Sequence, residues 1–371
     1  MVAVNRAWHH RRAGVIAGAL LCAALLAACS VSNADEPTAT DAATSTAAPA
    51  TASPTSTVAR STSTSSTTTS TSTSTTTTEP PPITVNTAVL ADVVAGASLG
   101  PVPEGTPIGA ASGDRAAVYG DGCHVTWNDV VPRKGCFYGD TSSDVLVVVT
   151  GDSEAAHWFG AFDEAAKANH WKLVMVTKQG CPAADVSVYS AADKSKRNVR
   201  YPECDEWRGN ALAYIASLHP RLVVFPMLTR RSIVGVPKAI AMPYWAKGLG
   251  RSIDAVAAKG TDVLVLGDTP KTSGNVPACV GSNRSDVSPC GNARSAAVDP
   301  SHVQGLAETA AQHGASFVDP SNWLCTDAFC PAVIGTSVVY RDELHLTDRF
   351  SRTRASQVAD AVRFALAGPQ H

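Results

Sequence analysis

Long apolar runs, basic excess and nucleotide fingerprints are all missing from this chain of 371 residues, and each absence removes a class of function. Lys and Arg number 30 against 32 Asp and Glu, a net charge of −2 with the cations scattered, so a nucleic-acid partner is not expected. No G-x-G-x-x-G follows the first predicted strand, no Walker A pattern occurs, and no internal repeat is visible, so no cofactor is expected. The ten cysteines contain no C-x-x-C pair, the spacing a zinc knuckle uses, and no metal is expected. Small or neutral substrates fit this balance better.

What is present begins with an export signal. Arg6, Arg11 and Arg12 precede an uncharged apolar run from Ala13 to Ala28. At about 16 residues it is short for a bilayer span, which needs about 20. The run ends at Leu26-Ala27-Ala28-Cys29, which resembles a bacterial lipobox; the resemblance implies a diacylated Cys29 as mature N-terminus, hence a chain anchored by lipid (palmitate among the expected acyl groups) to the outer face of the cytoplasmic membrane or envelope. Residues 30–82 are almost entirely Ser, Thr, Ala and Pro, too poor in apolar surface to fold, and read as a tether. Residues 84–371 are read as one domain.

Discounting Cys22 in the signal and Cys29 leaves an even set of cysteines, Cys123, Cys136, Cys181, Cys204, Cys279, Cys290, Cys325 and Cys330. In an exported chain these read as disulfides between sequence neighbours, although arithmetic alone leaves about 105 connectivities open.

Short β-branched runs alternate with helical patterns through the domain. Strands are predicted at 145–149, 173–176, 222–225, 263–266 and 316–318, and helices at 154–169, 206–218, 245–258, 303–313 and 348–367, with Gly314 as a C-terminal cap. Five strand–helix alternations predict an α/β fold, a roughly five-stranded parallel sheet in three α/β/α layers, flavodoxin-like, with ligands at the carboxyl ends of the strands.

Two motifs carry chemistry. Thr150-Gly151-Asp152-Ser153 places a serine at the turn from first strand to first helix, where Oγ stands at the sheet edge and helix N–H groups face a developing oxyanion. Asp342-Glu343-Leu344-His345 precedes the last helix, and its spacing lets Asp342 orient His345 as base for Ser153.

G-D-S after the first strand with D-x-x-H before the last helix resembles the GDSL or SGNH hydrolases. The stretch from Cys123 onward resembles more narrowly the SGNH domain associated with membrane acyltransferases that O-acylate bacterial glycans, here as a stand-alone lipoprotein. The matching pieces are Cys136-Phe137-Tyr138-Gly139-Asp140, Gly151-Asp152-Ser153 with Trp158, Cys181-Pro182, Cys204 with Trp207-Arg208, Leu324-Cys325 with Cys330, and Tyr340-Arg341-Asp342 through Thr347. The resemblance implies Ser153 as nucleophile, His345 as base then acid, Asp342 as its orienter, and hydrolysis or transfer of acyl esters on envelope glycans or lipids, with a membrane acyltransferase as a partner. The alternative is a binding or accessory lipoprotein of the same fold with weak or no activity.

Two departures stand out. Glu154 follows the serine where relatives commonly carry His, and the family's oxyanion Asn is not evident; Gly180 and Thr229, with Ser153 itself, are the expected oxyanion donors. Glu154 is expected to point outward and complement the helix N-terminus. His157 is expected to face solvent, and Trp158 and Trp207 to be core.

Overall fold

The structure, a computed structural model, describes residues 88–368 apart from 193–194, 196–197 and 258–259. The signal segment, Cys29 and the Ser/Thr-rich tract lie outside the described residues. Among those described, no helix is long and apolar enough to cross a membrane.

Seven strands form the main sheet: β1 (His124–Val125), β2 (Phe137–Gly139), β3 (Leu146–Gly151), β4 (Lys172–Lys178), β5 (Leu222–Pro226), β6 (Asp262–Leu266) and β7 (Ser316–Val318). Their order is β1-β4-β3-β5-β6-β7, parallel throughout, with β2 added antiparallel to β4. The five strands predicted are β3 to β7. β1 and β2, at two and three residues, are too short to show a periodicity, and they make the sheet larger and more mixed than expected.

Side chains alternate across the pleat, so a strand buried on both faces must be apolar at every position. Val147 and Val149 of β3 pack on one face against Trp158, Phe162 and the helix Ala355–Leu366; Val148 packs on the other against the side carrying Trp207, Trp245 and Leu249. Three layers result, as expected. Trp158 and Trp207 are fully buried core residues.

Two helices predicted as continuous are broken. The first runs as Ser153–His157 and Phe159–Ala168 around Trp158, whose ψ of −6° ends the first turn while its indole meets Trp323 edge-on at 5.7 Å. The last splits into Asp348–Arg352 and Ala355–Leu366. Gly314 follows the helix Pro300–Gln312 with φ +67°, the left-handed cap geometry.

The bonded cysteines are Cys123–Cys136, Cys181–Cys204, Cys279–Cys290 and Cys325–Cys330, each pair closing a loop between sequence neighbours. The first two tie down the chain flanking β1, β2 and β4. The others tie the segments between β6 and the histidine-bearing loop.

Candidate active site

Ser153 is placed by the end of β3. Gly151 closes the strand at φ +146°, and a Cβ there would stand 3.3 Å from that of Ala155, tight enough to press on the serine's own helix. Asp152 caps the helix, its Oδ1 accepting the Glu154 N–H at 2.9 Å. Ser153 is the first helical residue, so its N–H has no acceptor within the helix.

The loop before the helix Asp348–Arg352 brings the other two residues to it. His345 Nδ1 lies 2.8 Å from Asp342 Oδ2, and Nε2 lies 2.8 Å from Ser153 Oγ across 192 positions of sequence. The second carboxylate oxygen accepts the N–H groups of Leu344 and His345, at 2.8 and 2.7 Å. Burial pushes the Asp342 carboxyl upward, but the imidazole hydrogen bond, the charge of His345 and the two backbone donors together hold it well below the usual carboxylate range. An ionised carboxylate only accepts, so the proton of a neutral His345 sits on Nδ1 and Nε2 is left to accept the hydroxyl proton of Ser153. Arg341 braces this loop: its N–H donates to His345 O (2.8 Å) and its guanidinium to Leu346 O and to the Tyr119 hydroxyl.

Glu154 and His157 correct the sequence expectation. Neither faces solvent: Glu154 is 0% exposed and His157 1%. They turn inward from consecutive turns of one helix, Glu154 Oε2 standing 3.6 Å from His157 Nε2. Leu346 N–H reaches His157 Nδ1 at 3.4 Å, so Nε2 carries the proton and donates to Thr269 Oγ1 at 3.2 Å. Burial drives the Glu154 carboxyl well above its ordinary value, the opposing charge of Arg230 notwithstanding, and drives His157 well below its own. Burial thus favours the uncharged form of each, which for Glu154 removes charge from the position directly after Ser153. His124, buried against Thr177 Oγ1 at 3.0 Å, is likewise neutral, pulled down to about 3 chiefly by burial.

Thr229 is a second correction. Its N–H donates to both oxygens of Asp268 (3.0 and 3.1 Å) and its hydroxyl to Oδ2 (2.6 Å), while His302 Nδ1–H donates to that hydroxyl at 2.7 Å. With both donors spent on Asp268, Thr229 has none left for an oxyanion. Gly180 lies just past β4, the neighbour of β3, in the left-handed region at φ +59° beneath Trp127 and the Arg231 guanidinium.

Sequence reasoning missed the residues that β5 and β6 deliver to this end of the sheet: Arg230, Arg231, Asp268 and Thr269. Their positions just beyond strand ends were the available signal. Among the described residues, no group of three or more His, Cys, Asp or Glu converges as a metal site.

Comparison with known proteins gives the same outline. Residues 122–360 match the family described as SGNH domain (fused to AT3 domains). No curated protein matches the chain. Among solved structures, the periplasmic domain of a lipopolysaccharide acetyltransferase from Salmonella Paratyphi A is similar in fold, with a TM-score of 0.51 at 14% identity over 71% of this chain and 100% of that one. A candidate acylhydrolase from Bacteroides fragilis is similar at a TM-score of 0.35 and 15% identity, over 63% of this chain and 91% of that one, too loose a likeness to inform the fold.

Proposed function

We propose, from the premise that this chain belongs to the family of SGNH domains fused to AT3 domains, that it is a serine esterase or O-acyltransferase acting on acyl esters of envelope glycans or lipids. The observation that carries this reading is the unbroken chain Ser153 Oγ to His345 Nε2, and His345 Nδ1 to Asp342, at 2.8 Å each. In the proposed reaction Ser153 Oγ attacks the ester carbonyl while its proton passes to His345 Nε2. The imidazolium is stabilised by the Asp342 carboxylate. The tetrahedral oxyanion is met by the Ser153 N–H, with Gly180 N–H as the second proposed donor. Collapse sends the Nε2 proton to the leaving alkoxide and leaves an acyl group on Ser153. Water or a glycan hydroxyl, deprotonated by His345, then takes the acyl group and restores the serine.

Supporting the envelope setting are the four disulfides, which persist in oxidising compartments. The proposed anchor is the lipid on Cys29, and the proposed partner a membrane acyltransferase of the kind to which such domains are fused. If Cys29→Ala leaves the protein in the membrane fraction, the anchor is wrong.

The experiment for the activity is labelling with a fluorophosphonate probe. The wild type is expected to take the label, Ser153→Ala to take none, and His345→Ala to be nearly as unreactive. A folded wild type that remains unlabelled would leave the second reading, an accessory protein of the same fold, which the engagement of Thr229 by Asp268 favours.

A further inference from the structure

Beside the helix that bears Ser153, at the carboxyl ends of β5 and β6, lies a cleft of about 440 Å³ walled by Arg230, Asp268, Thr269, Lys271, His302 and the start of the helix Pro300–Gln312. It shares a wall with the catalytic groups. Thr269 accepts from His157, whose ring stands 6.3 Å from that of His345, and the charge of Arg230 acts on Glu154, His157 and Tyr340.

The charges in this cleft are unevenly engaged. Asp268 is occupied by Thr229, and Asp299 caps the helix through Ser301 N–H and Oγ–H, at 3.0 and 2.6 Å. The cations have no such partners: among the described residues neither Arg230 nor Lys271 makes an ion pair, and Arg230 Nη2 is buried with no hydrogen-bond partner at all. Glu154, the buried acid on which the charge of Arg230 acts, makes no ion pair with it among the described residues and faces His157 instead, at 3.6 Å. Leaving a guanidinium nitrogen buried and unbonded is unfavourable, since it has lost water without replacement. A planar five-donor fork with a free edge is suited to a carboxylate or phosphate.

We infer that this cleft is a substrate subsite in which Arg230, assisted by Lys271, binds an anionic group, a carboxylate or a phosphate carried by the acylated envelope molecule. The inference rests on the acyl-transfer reading above and narrows its substrate to an acidic glycan or a phosphorylated one. The anion is held while Ser153 works on an ester elsewhere in the same molecule, so the subsite selects the substrate and orients it.

The test compares acetate release from three acetylated sugars: a neutral methyl glucoside, the corresponding methyl glucuronoside, and glucose 1-phosphate. At least one charged ester should exceed the neutral one by tenfold or more in kcat/KM, and which one does so separates carboxylate from phosphate. Arg230→Gln should bring that ratio towards one, Arg230→Lys should retain part of it, and Lys271→Gln, at an exposed position, should lower it without a change in melting temperature. A wild-type ratio near one, or a ratio unmoved by these substitutions, overturns the subsite. A wild type that cleaves none of the three counts against the acyl-transfer reading instead. Titration of Ser153→Ala with glucuronate and with inorganic phosphate then decides the cleft: binding lost in Ser153→Ala/Arg230→Gln keeps the assignment, and no binding ends it.

Discussion

Glu154 Oε2 faces His157 Nε2 at 3.6 Å with both side chains sealed from solvent, one residue and four residues after Ser153. His157 in turn receives the N–H of Leu346, so the helix carrying Ser153 and the loop carrying His345 are joined through it.

Because burial raises the Glu154 carboxyl well above its ordinary value, the uncharged acid is favoured, and glutamine is close to the isostere of that form. Glu154→Gln should therefore leave kcat/KM for an aryl ester within about twofold, about 0.4 kcal/mol. Its stability should change with pH. A folded pKa above the unfolded value of about 4.3 means that this group's contribution is full below that pH and declines as pH rises, since the unfolded chain sheds the proton first. The variant should thus gain melting temperature over the wild type at pH 7 and gain less at pH 4. A tenfold rise in rate would show instead that Glu154 is charged and opposes the oxyanion.

His124 has the opposite linkage. Its folded value of about 3 lies below the unfolded value of about 6.5, so its contribution is full above about pH 6.5 and drains as pH falls towards 3. His157, also lowered by burial, acts with the same sign. Between pH 6.5 and 5 the loss from His124 should reach up to about 2 kcal/mol. Urea titrations at the two pH values should show a smaller loss in His124→Gln, and an identical loss would place the linkage elsewhere.

The disulfides should differ in worth according to the loops they close. Cys181–Cys204 spans 23 residues and Cys325–Cys330 spans 5. The loop-entropy relation makes the longer one more stabilising by roughly 1.3 kcal/mol. Arg208 adds to this, its Nη2 donating to Cys204 Sγ at 3.0 Å in the buried layer. Double Cys→Ser variants, compared by denaturation midpoint, should rank in that order; the reverse ranking would mean that loop entropy does not govern here.

The central sheet was legible because β3 to β7 are nearly continuous apolar runs, and a strand buried on both faces leaves no other pattern. The meeting of Ser153, Asp342 and His345, the proposed catalytic residues, was legible because each occupies a place defined by an adjacent strand or helix. The burial of Glu154 was not. An acidic residue in a first helical turn ordinarily meets water, and what covers this one, Thr269 and Arg230, comes from loops after β5 and β6, more than 70 positions away in sequence. Thr229 failed for the same reason: a hydroxyl at a strand end looks available until Asp268, 39 residues on, takes both its donors. Sequence shows which groups a strand end presents, whereas only the neighbouring strand end shows which are spent.

Asp342→Asn is the most exacting test of the proposed mechanism, because it alters one atom and leaves the shape. Asp342 Oδ1 accepts two backbone N–H groups, from Leu344 and His345, while Oδ2 faces His345 Nδ1. An amide can satisfy only one side. Turning its NH₂ towards the two backbone donors sets donors against donors, so the carbonyl oxygen is expected to stay there and the NH₂ to face the imidazole. Nδ1 must then accept, which moves the ring proton to Nε2 and leaves no lone pair to take the proton of Ser153. The backbone around His345 supplies no substitute acceptor for Nδ1, since Leu344 and His345 both present N–H groups. The loss in kcat should therefore be large, on the order of 10⁴-fold as for a wrong tautomer in a serine triad, with KM for the ester little changed. Kinetics on a short-chain aryl ester measure the loss, and nitrogen NMR of the histidine ring reports the tautomer directly. A fall of less than about tenfold, or about 1.4 kcal/mol, with the proton still on Nδ1, would show that Asp342 neither sets the tautomer nor stabilises the imidazolium.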